Sequence, residues 1–290
     1  MTQIGILPYS HFDGANNIVG SSFLRAESVA NNARDFEIWK YGKKYEALIF
    51  QKVYWKELMQ IFKGPKILDL CDPDWVNGSA NIIETGNLVD AFTCSSEALT
   101  VAVKRLFPNK IVIHVPDRLD FNVYPPVKKQ HNEVVKKVVW FGFIPNAHET
   151  LKQFSAVIKE YNLELTIIAD RPYSQKDAIY ELQPKYIPFN RDTAYTIIQD
   201  HDVVLNPRSA KVSFKYKSNN KSVISWKLGL PVAATADQLV QFFDLNERIK
   251  EVEEKQLLVT QQYNITYSID QYRSIIEEIK RTKRMEHFSA

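Results

Sequence analysis

Residues 137–170 read KVVWFGFIPNAHETLKQFSAVIKEYNLELTIIAD. Lys137–Phe143 is a short apolar and aromatic run that reads as a strand. His148–Tyr161 has the spacing of a helix, and Leu163–Ala169 (LELTIIA) reads as the next strand. Strand, helix and strand in that order make a parallel pair joined by a crossover, the unit of an α/β sheet covered on both faces. The alternation continues C-terminally. A strand at Lys185–Pro188 precedes a helix at Arg191–Asp200, and a strand at Asp202–Asn206 precedes a helix at Ser222–Leu228 and the strand Pro231–Ala234.

N-terminal to this stretch the same alternation occurs once already. The predicted strands are Gln3–Pro8, Ala47–Gln51, Lys66–Leu70, Ala91–Ser95 and Lys110–Val115, with helices at Ser22–Asn32 and Glu97–Leu106. Residues 119–136 are polar, contain Pro125 and Pro126 and show no periodic apolar face, so they are expected to link two domains. The expected organisation is an N-terminal Rossmann-like domain over 1–118 and a C-terminal one over 137–266. Residues 267–290 form a tail helix whose Ile269, Tyr272, Ile275, Ile276 and Ile279 share one side.

Length and composition exclude several classes. The 290 residues are 45% hydrophobic and 24% charged, which is globular rather than disordered. Apolar runs reach about eight residues, as in Val138–Pro145, far below the roughly 20 of a membrane-spanning helix. Met1–Gly20 has no basic leader or apolar core, and Cys71 and Cys94 form no CxxC, so a reduced, cytoplasmic protein is expected. His11, His114, His131, His148, His201 and His287 are scattered without metal-site spacing, and no metal centre is expected.

Net charge is only +3, but its distribution is uneven. Val203–Ala236 contains no Asp or Glu, yet holds Arg208, Lys211, Lys215, Lys217, Lys221 and Lys227. Ligands of open α/β sheets bind beyond the carboxyl ends of the strands, and this segment follows one. Ser218, Asn219 and Asn220 can cap the helix that starts beside Lys221, and its first N–H groups offer a site for a phosphate or diphosphate. Neither GxGxxG nor GxxxxGK[ST] occurs. The alternative is a solvated basic loop before an ordinary capped helix.

Residues 217–235, KSNNKSVISWKLGLPVAAT, resemble the donor-site segment of glycosyltransferases with the two-domain GT-B fold. The resemblance extends to Lys137–Asp170 and Asp202–Arg208, and Gly20-Ser21-Ser22-Phe23-Leu24-Arg25 resembles the loop and first helix of family-4-like members. It implies two Rossmann-like doubly wound domains facing a cleft, with the nucleotide-sugar on the C-terminal domain and the acceptor on the N-terminal one. UDP is the nucleotide it favours, with no cofactor beyond the donor and no metal. Many family-4 enzymes carry an E-x7-E pair, whose places are taken here by Tyr216 and Ile224, so a retained configuration does not follow.

Further candidates sit at strand ends. Gly142, Arg171 and Arg208 join Lys215, Lys217, Ser218, Asn219, Asn220 and Lys221 as donor-side residues. Asp72-Pro73-Asp74 matches D-x-D, as does Asp200-His201-Asp202; Asp72 is the candidate base for an acceptor hydroxyl, or else a turn residue. Arg25 is the candidate partner of a diphosphate, or else a surface ion pair. Tyr9, His11, Asp13, Ser22 and Trp75 are acceptor-side candidates, and Phe12, Tyr54 and Trp55 are further rings that could stack on a sugar or base.

The expected acceptor is a hydroxyl of a saccharide or cell-surface glycan. The compact size and the lysines Lys40, Lys43, Lys44, Lys52, Lys56, Lys63 and Lys66 are also similar to phage enzymes that glycosylate hydroxymethylated cytosine in DNA. Asp35, Glu37, Glu46, Glu57 and Asp69 interrupt those lysines and weaken that signal. A nucleotide-sugar epimerase of the same fold is the alternative enzyme, and a non-catalytic binding module the third reading.

Overall fold

The computed structural model describes residues 3–10, 20–78, 80–174 and 178–289. The chain divides into two compact units: residues 1–121, 211–219 and 263–290 form unit 1, and residues 122–210 and 220–262 form unit 2. The expected C-terminal domain therefore cedes residues 211–219 to unit 1, and the tail helix belongs to unit 1 as well. The segment expected as a linker is packed rather than bare. Leu119, Tyr124 and Val135 are buried, Leu119 bridges Asn264, and the boundary between the units falls within the segment, after Phe121.

Unit 1 is built on a six-stranded sheet, β1 (Ile4–Leu7), β2 (Phe36–Ile38), β3 (Ala47–Gln51), β4 (Lys66–Leu70), β5 (Ala91–Cys94) and β6 (Ile111–His114), in the order β2-β1-β3-β4-β5-β6. Every pairing is parallel. Strand β2 is absent from the sequence reading; three residues, FEI, are too few for a period-2 signal. Successive side chains alternate between two cores, as the pleat requires. Ile4, Ile6, Ala47, Ile49, Ile67 and Ala91 pack under residues 20–32 and the tail helix, while Leu7, Leu48, Phe50, Leu68, Leu70 and Phe92 pack against Met59, Leu99 and Val103. The tail helix runs Ile265–Ser289 and buries the five side chains that its spacing predicts. Each contributes about 1.5–3 kcal/mol relative to exposure.

Unit 2 holds a five-stranded parallel sheet, β7 (Lys137–Gly142), β8 (Glu164–Ala169), β9 (Lys185–Pro188), β10 (Val203–Leu205) and β11 (Val232–Ala233), in the order β11-β10-β7-β8-β9. The predicted helix His148–Tyr161 is a run of short turns from Ile144 to Glu160, with 3₁₀ geometry at Ile144–Asn146 and Leu151–Phe154. Leu245–Gln262, which carries polar residues on most of its surface, is a helix that the sequence reading did not separate.

Both sheets reverse their strand order once, between β1 and β3 in unit 1 and between β7 and β10 in unit 2. Neighbouring connections leave in opposite directions at such a point, which opens a crevice beyond the carboxyl ends. Among the described residues no helix is long and apolar enough to cross a membrane.

Candidate functional site

In unit 2 the reversal point gathers Gly142, Asn206, Asn220, Lys221 and Ser222. Gly142 ends β7 at φ +141°, a backbone conformation that favours glycine. A Cβ there would press on the Lys221 side chain, within 2.7 Å of its Cε. The Lys221 ammonium lies 4.2 Å from the centroid of the buried Trp140 ring, a cation–π contact. Asn206, just past β10, donates to Ser222 Oγ at 2.8 Å and so ties that strand end to the first turn of the Asn220–Leu228 helix. The first N–H groups of a helix lack intrahelical partners and carry partial positive charge. A cation, a helix start and a backbone without a side chain thus meet at one strand edge. Asp170, at the end of β8, accepts from the Ile144 N–H at 2.8 Å and fixes the turn after Gly142.

Arg171 points to solvent with its neighbour Asp170 at 3.9 Å, and Arg208, exposed, follows β10 two residues beyond Asn206. Lys215 covers the Tyr216 ring at 4.7 Å and Lys217 the Phe214 ring at 4.9 Å. Ser218 donates to Asp117 at 2.6 Å and Asn219 to the Tyr263 hydroxyl at 3.0 Å, both inside unit 1. The stretch that reads as one basic loop is therefore split: its first half is anchored in unit 1, and Asn220 and Lys221 belong to unit 2.

In unit 1 the reversal point carries a different constellation. Gln51, buried at the end of β3, accepts from the Tyr9 N–H at 2.9 Å and from the Ser22 hydroxyl at 2.8 Å. Lys52 follows at φ +55°. Its ammonium reaches Asp72 at 2.8 Å and Asp74 at 3.3 Å, and lies 4.8 Å from the exposed Tyr9 ring. Tyr54 donates to Asp74 at 2.8 Å. Burial alone would favour neutral Lys52, but the neighbouring Asp72 and Asp74 outweigh it and hold the ammonium above its ordinary range. Cys71 itself is pushed up by burial first and Asp72 second, so it stays a thiol. The first D-x-D match therefore grips a lysine of its own chain. In the second match, Asp202 is buried and accepts from the Lys136 and Lys137 N–H groups, each at 2.8 Å.

Two unit 1 candidates are corrected by their burial. Arg25 is only 3% exposed. Its guanidinium binds Asp69 through two contacts, at 2.8 and 2.6 Å, and also reaches Asp117 at 2.8 Å and the Val115 carbonyl at 2.7 Å. Thr93 and Tyr272 complete the shell of Asp69. Burial pushes this guanidinium down, Asp69 and Asp117 more than compensate, and it ends above its usual value. Such a residue holds strands, helices and tail together and presents nothing to a diphosphate. Ser22 is equally sealed, with no exposed surface. Trp75 is half-buried against the β4–β5 core. His11, Phe12 and Asp13 lie outside the described residues.

Sequence reading missed Lys52 and Asn206 at the two strand edges, and Asp117 as a partner of the buried Arg25. A lysine directly after the apolar run ALIFQ was the available signal for the first. An acid inside the apolar strand KILDL signalled that a buried cation must exist.

The chain matches no protein-family model and no curated protein. Solved structures do match. Alr3699/HepE of Anabaena, in complex with UDP-glucose, superposes with a TM-score of 0.69 at 11% identity, over 96% of this chain and 100% of that one. AviGT4, a glycosyltransferase involved in avilamycin A biosynthesis, gives 0.60 at 10% identity over 96% and 98%. Staphylococcus aureus TarM gives 0.59 at 11% identity over 79% of this chain and 55% of its own. The fold is GT-B. The two parallel sheets of six and five strands match that fold, as the 217–235 resemblance led one to expect.

Proposed function

We propose that the chain is a glycosyltransferase that moves a sugar from UDP to a hydroxyl of a saccharide, working in the cytoplasm. The observation that carries this reading is the meeting of Gly142, the Asn220 helix start and Lys221 at the strand reversal of unit 2. Support comes from HepE, whose structures hold UDP-glucose or UDP and glucose, and from TarM, held with UDP and α-GlcNAc-glycerol. Both cysteines are free and buried, as suits a reducing compartment.

In the transfer the bond between the anomeric carbon and the β-phosphate oxygen breaks, and a bond to the acceptor oxygen forms. Negative charge grows on the leaving diphosphate. The Lys221 ammonium and the N–H groups of the first helical turn are fixed where they stabilise it. Unit 1 supplies the acceptor-side groups, with Asp72 the residue we assign to take up the hydroxyl proton. The family-4 acids remain replaced by Tyr216 and by Ile224, which is 7% exposed, so we assign no stereochemical course.

A saccharide suits unit 1 better than a DNA base does. Lys43 pairs with Glu37, Lys56 with Glu84 and Lys52 with Asp72, so these lysines are neutralised locally rather than lined up for a phosphate backbone.

The test is UDP release from a panel of UDP-sugars with saccharide acceptors, alongside calorimetric titration of UDP. UDP binding with acceptor-dependent release is expected, and Asp72→Asn should lower turnover about 100-fold without changing UDP affinity. Absence of UDP binding overturns the reading. An inverted sugar formed without UDP release would install the epimerase in its place.

A further inference from the structure

The carboxyl edge of the unit 1 sheet carries more exposed aromatic surface than a single sugar needs. Strands β2, β1 and β3 are neighbours and all parallel, so their carboxyl ends share one side. Trp39 and Tyr41 follow β2, Tyr9 follows β1, and Trp55 follows β3. Tyr41 is 90% exposed, Tyr9 56% and Trp55 41%. Trp39 lies between its neighbours, edge-on to Tyr41 at 6.3 Å and to Trp55 at 5.7 Å. Contiguous exposed apolar surface of this kind marks an interaction site.

We propose that this edge binds an extended glycan, so that the acceptor is an oligosaccharide chain rather than a free monosaccharide; the inference rests on the glycosyltransferase reading. A pyranose has an apolar C–H face and a hydroxylated rim. Aromatic rings cover the first, and charged side chains bind the second. Both kinds of group are here and continuous, because the Lys52 ammonium that contacts the Tyr9 ring also holds Asp72 and Asp74. The edge from β2 to β3 spans two strand spacings, about 10 Å, which is wider than one sugar ring. Lys52 with Asp72 and Asp74 is net negative, Lys40 and Lys43 with Glu37 are net positive, and the two groups cancel, which suits an uncharged glycan. Trp55 and Tyr41 are exposed and lie outside the buried cluster, with their rings against Trp39, which packs on it, so a urea midpoint measured for each variant checks that its fold is kept.

The experiment applies the full chain, with Trp55→Ala and Tyr41→Ala, to an array of immobilised glycans. The best-retained oligosaccharide and its terminal monosaccharide are then titrated in solution. The expected result is a longer chain bound more tightly than its terminal sugar, with that advantage cut about tenfold in either variant. UDP affinity and urea midpoint should stay as in the wild type. No glycan retained by the wild type, or retention unchanged in both variants, overturns the proposal. So does adsorption to phosphatidylglycerol vesicles that the two variants abolish. UDP titration separates the two readings: UDP bound without any glycan removes only the extended acceptor site, whereas no UDP bound removes the transferase itself.

Discussion

The strand reversals of the two units each carry a lysine and treat it in opposite ways. In unit 2, Lys221 rests on the face of Trp140 beside a helix start and a glycine backbone. In unit 1, Lys52 is clamped by Asp72 and Asp74 at 2.8 and 3.3 Å. A unit pair about 4 Å apart near a protein surface interacts by about 4 kcal/mol, so two carboxylates already saturate what an incoming phosphate would gain from Lys52. The lesson is that two lysines at equivalent strand edges differ by what packs on them, a ring and a glycine backbone in one case and two carboxylates in the other.

The sharpest way to break the comparison lies beneath the unit 1 edge. Arg25→Met leaves Asp69 and Asp117 buried without their cation, and loss of one partner of a buried pair costs about 3–5 kcal/mol. Urea unfolding should register that loss, and adding Asp69→Asn should recover part of it. Equal stability of Arg25→Met and wild type would mean that the guanidinium is dispensable and could serve a ligand after all. The next effect is smaller and compares the two lysines directly. Lys221→Ala should weaken UDP binding by about 1.5–3 kcal/mol, the scale of a charged hydrogen bond, while Lys52→Ala should leave UDP affinity unchanged. Calorimetry on both variants tests this pair. Equal losses would erase the distinction between the two edges.

Much of this arrangement was legible in the residues. Strands ALIFQ, KILDL and KYIP and the helix Glu97–Leu106 occupy the predicted bounds, because each is an apolar or amphipathic run closed by turn residues or an N-cap serine. The reversal points follow from strand order, which a sequence does not print. Lys221 and Gly142, both donor-side candidates because each lies next to a strand or helix end, come together at one edge. Arg25 was misjudged for a different reason. An arginine at the start of a helix looks the same whether it faces solvent or an aspartate in the adjoining sheet, and its partners Asp69 and Asp117 lie 44 and 92 residues away. For Lys215 and Lys217, acid-free sequence shows that cations are present, and only packing shows that they cover Tyr216 and Phe214.

The smallest effect separates how the two units bury polar groups. Unit 1 buries the Arg25–Asp69 ion pair, whereas unit 2, besides Arg248 and Asp202, buries an imidazole that burial holds neutral. His201 is 5% exposed, with Nδ1 at 2.8 Å from the Ile197 carbonyl and Nε2 at 2.8 Å from Thr166 Oγ1. The neutral ring donates from Nδ1 and accepts from the Thr166 hydroxyl at Nε2. Burial lowers its pKa below the ordinary 6.5, and the backbone acceptors at Ile197 and Ile198 only partly oppose this. The unfolded chain therefore binds a proton that the folded chain refuses as pH falls through 6.5. Stability should drop with falling pH and level off below the folded pKa. His114 and His131 are lowered by burial too and add to the same slope. His201→Gln should flatten the pH dependence of urea unfolding between pH 7.5 and 5 by up to one proton. Parallel slopes for His201→Gln and wild type would mean that Thr166 turns its hydroxyl to accept from a charged ring, and burial would then not hold His201 neutral.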